Sequence, residues 1–380
     1  MKLPVGIQKF EKLRNDGFVY LDKTPLIWKM VNEGCYYFLS RPRRFGKSLL
    51  MSTIQAFFEG KKHLFDGTVG APLFIATDES VDWDWESYPI MHLDLNTDKY
   101  THKEALESRI NGFLQKQEGL YGNNPSEVSF GQRFEGVLDR AYKQTGKRVV
   151  ILIDEYDKPL LQAIGDKELQ DEFRATLKSF YGALKSKDGC IKFALLTGVT
   201  KFGKVSVFSD LNNLKDISMS LEYSDICGIT EKELLSNFDG YIDRLASDND
   251  VTKEEAVAKL REQYDGYHFH PDAAGMYNPF SVLNTLERKE FGSYWFETGT
   301  PSYLVYLLRL HDYNLAQMAS CQTSAKVLNS IDANSTDPIP VIYQSGYLTI
   351  KDYNSRFGTY QLGFPNKEVE EGFIRFLVPY

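Results

Sequence analysis

Cysteine is scarce in this sequence. Only Cys35, Cys190, Cys227 and Cys321 occur among 380 residues. No two are spaced like zinc or redox ligands, and no disulfide framework is implied. Cys35 lies in an apolar run and reads as a small core residue. Long hydrophobic runs are also lacking, and no stretch is long enough to span a bilayer. The N-terminus, Met1-Lys2-Leu3-Pro4-Val5-Gly6, has no secretory apolar region. These absences exclude a membrane-spanning protein and point to a reduced cytoplasm. Positive charge is not in excess either, since Lys and Arg number 44 against 52 Asp and Glu, a net charge of −8. No nucleic-acid-coating surface is called for, although a local basic patch stays open. His63, His92, His268 and His270 show no metal spacing with a third ligand, and a loop is expected around the last two.

What is present is an ordinary globular composition, 42% hydrophobic and 14% aromatic, which argues against disorder. The length favours two or three units. Phe18-Val19-Tyr20-Leu21 reads as a short strand. Thr24-Pro25 reads as a helix start, with Thr24 as cap and the helix running to about Asn32. An apolar β-type run, Cys35 to Leu39, breaks into Ser40-Arg41-Pro42-Arg43-Arg44-Phe45-Gly46-Lys47-Ser48. A helical pattern through Leu49, Leu50, Ile54, Phe57 and Phe58 follows. Further strands are expected at 89–95, 149–153, 191–197 and near 216–219, with helices at about 101–119, 130–145 and 167–186. Strands alternating with helices predict an α/β parallel sheet with right-handed crossovers up to about residue 224.

Beyond that point the pattern becomes helical and charged. Thr230-Glu231-Lys232-Glu233 and Thr252-Lys253-Glu254-Glu255 match the capping-box start, and Asn278-Pro279-Phe280-Ser281 opens another helix. One more helix is expected from Ser302. Tyr343 to Ile350 and Tyr360 to Phe364 read as a hairpin. Helices followed by a hairpin predict a helical and winged-helix-like region over 225–365. Residues 366–380 end on an apolar run inside an expected helix, so they read as the start of a truncated C-terminal segment. Trp83 and Trp85, alternating with Asp82 and Asp84, read as a surface hairpin or loop.

The chemistry is concentrated in two motifs. Gly46, Lys47 and Ser48 fit the last three positions of the phosphate loop G-x-x-x-x-G-K-[ST], between a strand and a helix as that loop requires. Successive backbone N–H groups and the helix N-terminus, here including Phe45 and Leu49, would wrap phosphates. Lys47 would neutralise β- and γ-oxygens, and the Ser48 hydroxyl would bind Mg²⁺. The first glycine is missing and Arg41 takes its place. Arg43 and Arg44 read either as contacts to phosphate or a neighbouring subunit's acidic face, or as solvated loop charges. The second motif is the apolar strand Val149 to Ile153 ending in Asp154-Glu155. That is the magnesium-strand pattern of the additional-strand, catalytic-glutamate P-loop enzymes. Asp154 would hold Mg²⁺ through its water shell, and Glu155 would orient and polarise the attacking water. Thr197 and Thr200, after the fourth expected strand, read as polar sensors of the γ-phosphate, with core or turn hydroxyls as the alternative. Asp157 and Lys158 read either as ion-paired structure or as part of the site.

Phe18 to Thr24, the loop Arg41 to Leu49, and Leu152-Ile153-Asp154-Glu155-Tyr156-Asp157 together resemble the bacterial AAA-ATPase-like family. So do Leu196 to Lys201, Tyr264-Asp265-Gly266-Tyr267 and Tyr277 to Ser281. The resemblance covers essentially the whole chain. It implies that Arg41 in the glycine position is a family trait. It also implies that members often continue into a PD-(D/E)xK nuclease-superfamily domain, for which the last residues here hold no Asp…Glu-x-Lys constellation. The expected function is a Mg²⁺-dependent ATP-binding and ATP-hydrolysing switch. The alternative is a nucleic-acid-binding module with a structural or regulatory nucleotide site, whose nucleic-acid or protein partner meets the C-terminal region. A small-molecule kinase fits less well, because Glu155 suits activation of water rather than of a substrate hydroxyl.

Overall fold

The computed structural model describes residues 2–201, 207–208, 211, 213–297, 306, 320–329 and 337–377. The first unit begins with helices α1 (Phe10–Asn15) and α2 (Thr24–Glu33). Then come strand β1 (Tyr36–Ser40), helix α3 (Lys47–Phe58) and a short α4 (Phe74–Thr77). Strand β2 (Ile90–Asp94), helices α5 (Lys103–Tyr121) and α6 (Phe130–Thr145), and strand β3 (Val149–Asp154) follow. Short helix α7 (Lys158–Gln162), α8 (Lys167–Ser186), β4 (Ile191–Gly198) and β5 (Lys215–Asp216) complete it. The strands form one parallel sheet in the order β2-β3-β4-β1-β5. The additional strand β4 therefore lies between the loop-bearing β1 and the Asp-Glu strand β3. The expected α/β parallel sheet is present.

Every residue of β1 and β3 is buried, as an apolar run covered on both faces requires. Phe134, Leu177 and Phe180 from α6 and α8 pack on one face. Met51, Ile54, Phe57 and Phe58 of α3 pack on the other. The register places Asp94 beside Asp154 and Ser40 beside Gly198. All the strand ends that carry chemistry thus meet at the C-terminal edge of the sheet, where parallel sheets bind ligands.

The C-terminal part adds α9 (Glu231–Asn237), α10 (Asp239–Asp248), α11 (Lys253–Tyr264), α12 (Pro279–Arg288) and α13 (Tyr294–Glu297). Capping boxes at Thr230 and Thr252 form as the sequence predicts, and a third forms at Ser129. Strand β6 (Cys321–Ser324), helices α14 (Ala325–Asn329) and α15 (Ile339–Gln344), strands β7 (Thr349–Asn354) and β8 (Thr359–Gly363), and helix α16 (Lys367–Leu377) follow. The antiparallel order β6-β8-β7, with α14 and α15 between β6 and β7 among the described residues, is winged-helix-like connectivity. The helix expected from Ser302 lies outside the described residues. The largest core cluster draws residues from both sides of position 224, including Tyr37, Phe45, Tyr267, Trp295 and Tyr347.

Several local expectations are corrected. Phe18 to Leu21 is not a strand, because only Phe18 forms a bridge, to Lys2, and no sheet edge lies alongside. Cys35 is exposed rather than in the core, because it precedes β1 at the rim of the sheet. Thr24 is the first helical residue, and its backbone N–H and hydroxyl both donate to Asp22 Oδ1, so Asp22 serves that helix end. Tyr343 and Gln344 finish α15, and the strand begins only at Thr349. For Trp83 and Trp85 the loop alternative, not the hairpin, is the one found, and Trp83 stacks on Phe57 at 4.6 Å.

Candidate functional site

The loop between β1 and α3 is shaped by its ends. Arg41 N–H donates to Gly198 O at 3.1 Å and so extends the ladder between β1 and β4 by one residue. Arg44 and Gly46 have positive φ, 66° and 95°, whereas Arg41 does not, so the missing first glycine is not needed for a left-handed turn there. The Arg41 side chain is almost wholly buried. Its guanidinium donates to Ser40 O, Ser218 O and Tyr223 O at 3.0, 2.7 and 2.9 Å. It also lies 3.9 Å from the Phe269 ring centroid. The residue that replaces glycine is a fastener between the loop and the segments behind it.

Lys47 begins α3 and is buried. Its ammonium donates to Arg41 O at 2.9 Å and Pro42 O at 3.2 Å, and pairs with Glu155 Oε1 at 3.1 Å. The Ser48 hydroxyl donates to Asp154 Oδ2 at 2.7 Å, and the Thr197 hydroxyl donates to Asp154 Oδ1 at 2.5 Å. Glu155 stands just past β3 with φ of 57°. A left-handed carboxylic residue is a strained conformation of the kind that collects at functional sites. Thus Lys47, Ser48, Asp154, Glu155 and Thr197 form one connected cluster.

Asp157 lies beneath this cluster and is fully buried. Its carboxylate accepts from Val199 N, Thr200 N and Thr200 Oγ1 at 3.3, 2.6 and 2.7 Å. Burial, then the charge of Glu155, pushes its pKa up to about 7 against the Thr200 hydrogen bonds. The Thr200 hydroxyl is therefore turned to Asp157 rather than to Asp154. Lys158 donates to Asn96 O and Oδ1 at 3.2 and 2.6 Å.

A cleft of about 470 Å³ opens over the cluster, within the usual range for small-molecule sites. Arg43, Arg44, Gly46, Lys47, Ser48, Leu49 and Glu155 line it, as do Asn96 and Lys158. Pro4 to Gln8 and Pro279, Phe280 and Leu283 of α12 supply the opposite wall. Sequence reasoning missed these residues as site residues. For the α12 wall the signal in the sequence is Tyr277 to Ser281, whose Asn278-Pro279 pair predicts a helix start; Pro4 to Gln8 carry no motif. A second, mostly apolar pocket of about 100 Å³ adjoins it, sharing Gly46, Leu49 and Leu283, with Phe45, Leu50 and Cys227 on its walls. The Phe45 ring does not face the phosphate end. It packs edge-on against Tyr267 and Phe269 at 4.8 and 5.5 Å.

The donor set fits a magnesium ion. Ser48 and Asp154 present hard oxygens side by side, and the buried Asp154 carboxylate is met by hydroxyl donors. Among the described residues no group of three His, Cys, Asp or Glu is placed to hold a metal. One carboxylate and one hydroxyl suit an ion whose shell substrate phosphates and water would complete.

A phosphate loop on β1, an acidic strand one strand removed and a polar threonine on the strand between them define a P-loop nucleotide-binding protein of the α/β class. The chain belongs to the AAA-ATPase-like family, whose family model, described as Predicted AAA-ATPase, matches residues 4–208. A protein of Azotobacter chroococcum mcd 1, an uncharacterized protein in the vnfD 5′ region, is 36% identical over 374 residues. That match covers 97% of this chain and 68% of that protein. Among solved structures, the Aeropyrum pernix ORC2 protein in ADPNP–ADP complexes is similar over 96% of this chain and 97% of its own. The identity is 10% and the TM-score 0.33, too distant to bear on activity. Among the described residues no helix is long and apolar enough to cross a membrane.

Proposed function

We propose that the chain is a Mg²⁺-dependent ATPase that acts as a switch, with a P-loop unit over 1–224, a helical and winged-helix-like region over 225–365 and a further segment starting at 366. The observation that carries this is the convergence of Lys47, Ser48, Asp154, Glu155 and Thr197 on one cleft. Backbone N–H groups from Arg43 to Leu49 would bind the phosphates, and the adjoining apolar pocket would take the base. Lys47 would exchange its Arg41 and Pro42 carbonyls for the β- and γ-oxygens. Ser48 and Asp154 would hold Mg²⁺, which supplies charge to the β- and γ-phosphate oxygens.

Glu155, released from Lys47, would accept a proton from the attacking water. The water oxygen bonds to the γ-phosphorus as the bond to the β–γ bridging oxygen breaks. ADP keeps that oxygen and its electron pair, and inorganic phosphate is the second product. Thr197, fixed on Asp154, would sense the γ-phosphate. Four unpaired cysteines fit a reduced compartment, the cytoplasm.

The test is ATP binding and turnover with Mg²⁺. Wild type is expected to bind and hydrolyse, Lys47→Ala to lose binding, and Glu155→Gln to bind without turnover. No binding by wild type at millimolar ATP would refute the proposal.

Winged-helix-like connectivity supports a second reading, a nucleic-acid-binding module in which nucleotide is structural or regulatory. Against it stand the net charge of −8 and the burial of α15, whose Gln344 accepts from Lys201 N at 2.6 Å. Salt-sensitive DNA binding retained by Lys47→Ala would favour the module.

A further inference from the structure

One buried carboxylate has no part in the hydrolysis scheme. Glu368 of α16 is 1% exposed, and a carboxylate so placed is costly unless its oxygens are bonded. Its Oε2 accepts from Ser281 Oγ at 2.7 Å, and its Oε1 accepts from the Trp295 backbone N–H at 2.8 Å. Ser281 belongs to α12, whose Pro279, Phe280 and Leu283 form one wall of the cleft. Trp295 is buried, and its Nε1 donates to Arg43 O at 3.0 Å, in the phosphate loop that forms the opposite wall. We propose that Glu368 is a positioning residue of the nucleotide site: it ties the two walls of the cleft together and so governs how fast nucleotide leaves. The inference rests on the nucleotide-binding reading above.

The segment Asn278-Pro279-Phe280-Ser281 has three separate roles in this arrangement. Asn278 Oδ1 caps α12 by accepting from the N–H groups of Phe280 and Ser281 at 2.9 and 3.2 Å. Pro279 and Phe280 line the cleft. Ser281, next in the first turn, is buried and turned to Glu368.

The carboxylate end of the tie is fixed as well. Asn366 Oδ1 accepts from the Val369 N–H at 3.1 Å in the first turn of α16, and its amide donates to Asp265 O at 2.9 Å. A displacement of that turn therefore acts on Ser281 and Trp295 together. Ser281, Glu368, Trp295 and Arg43 O form links in series. Cutting any one link frees one wall from the other, so a second cut adds nothing, whereas contacts with separate roles would add.

The experiment measures dissociation of a ribose-labelled fluorescent ATP derivative from the full chain with Mg²⁺, by stopped-flow displacement with excess ATP. The melting temperature without nucleotide is measured alongside. Ser281→Ala cuts the α12 link, Trp295→Phe cuts the loop link and keeps a ring, and a third protein carries both. Each single variant is expected to raise the dissociation rate roughly three- to tenfold, the size of one buried hydrogen bond. The association rate should change less than about twofold. The double variant should dissociate within about twofold of the faster single one. A double effect equal to the product of the two singles would mean two separate local roles and overturn the proposal. Thr285→Val is the control. It removes another buried hydrogen bond of α12, from Thr285 Oγ1 to Tyr264 Oη at 2.8 Å, which ends on α11 instead. It should lower the melting temperature as Ser281→Ala does and keep the dissociation rate within about twofold of wild type. Faster release from Thr285→Val would make the stability of α12, not the tie, the cause and overturn the proposal. Wild-type dissociation in both single variants overturns it too. A wild type that binds no nucleotide refutes the reading of the site itself, whereas a wild type that binds and is indifferent to both substitutions removes only this inference.

Discussion

Restoring the glycine that the phosphate loop lacks is the most informative single perturbation. In most such loops glycine at this position is harmless, so Arg41→Gly tests whether the arginine has been built into the structure. Its guanidinium reaches two acceptors far along the chain, Ser218 O at 2.7 Å and Tyr223 O at 2.9 Å. Charged hydrogen bonds contribute about 1.5–3 kcal/mol each, hence about 3–6 kcal/mol for the two. The desolvated contact with Phe269 at 3.9 Å adds about 2 kcal/mol. Burial opposes this. It pulls the Arg41 pKa from 12.5 down to about 10, which corresponds to about 3 kcal/mol of cost. The net expectation is a loss of about 2–5 kcal/mol, reduced where water reaches the orphaned carbonyls. The assay is the urea unfolding midpoint followed by tryptophan fluorescence, with ATP affinity measured at low urea. Arg41→Lys should recover little, because an ammonium cannot span the two carbonyls and cover the ring. If Arg41→Gly unfolds within about 0.5 kcal/mol of wild type, a typical surface-mutation effect, the fastener argument is refuted.

Two further outcomes follow from the same geometry. Asp157 is an acid whose folded pKa is raised to about 7, so between about pH 4 and pH 7 the folded state binds the extra proton and stability falls as pH rises. The melting temperature of wild type should decline across that window more than that of Asp157→Asn, and parallel curves would contradict the assignment. Gly346 has φ of 91°, and a Cβ there would lie 2.7 Å from Pro42 Cβ. Because the proline ring cannot swing away, Gly346→Ala should cost roughly 1–3 kcal/mol and lower the melting temperature, and an unchanged value would show that this contact is not close-packed.

Much of the parallel sheet and the centre of the site were legible because their signals are local. Val149 to Ile153 is a run of β-formers that only a strand covered on both faces accommodates. Gly46-Lys47-Ser48 and Asp154-Glu155 are contiguous, and the capping boxes at Thr230 and Thr252 span four residues each. Where local signals were ambiguous, tertiary context decided. Phe18 to Leu21 has strand composition but no neighbouring edge to pair with. Tyr343 and Gln344 have it too, yet the preceding Pro338 to Pro340 segment starts a helix, which Pro tolerates in its first turn. The opposite wall of the cleft was not legible, because Pro4 to Gln8 and Pro279 to Leu283 meet only in the folded chain. The tie from Trp295 to Arg43 spans 252 residues.

Arg41 shows how the two kinds of information combine. The sequence alone marks it as a break in the loop pattern and offers no reason for it. The structure supplies one, in Ser218, Tyr223 and Phe269, all outside the motif. Positions where a local rule fails are expected to carry function or a compensating contact. Here the failure falls in the loop whose next residues, Pro42, Arg43 and Phe45, touch Gly346, Trp295 and Tyr267. A nucleotide that rearranges this loop must therefore disturb contacts with the C-terminal region, and a force on that region must act on the loop, since the coupling between two such sites is reciprocal.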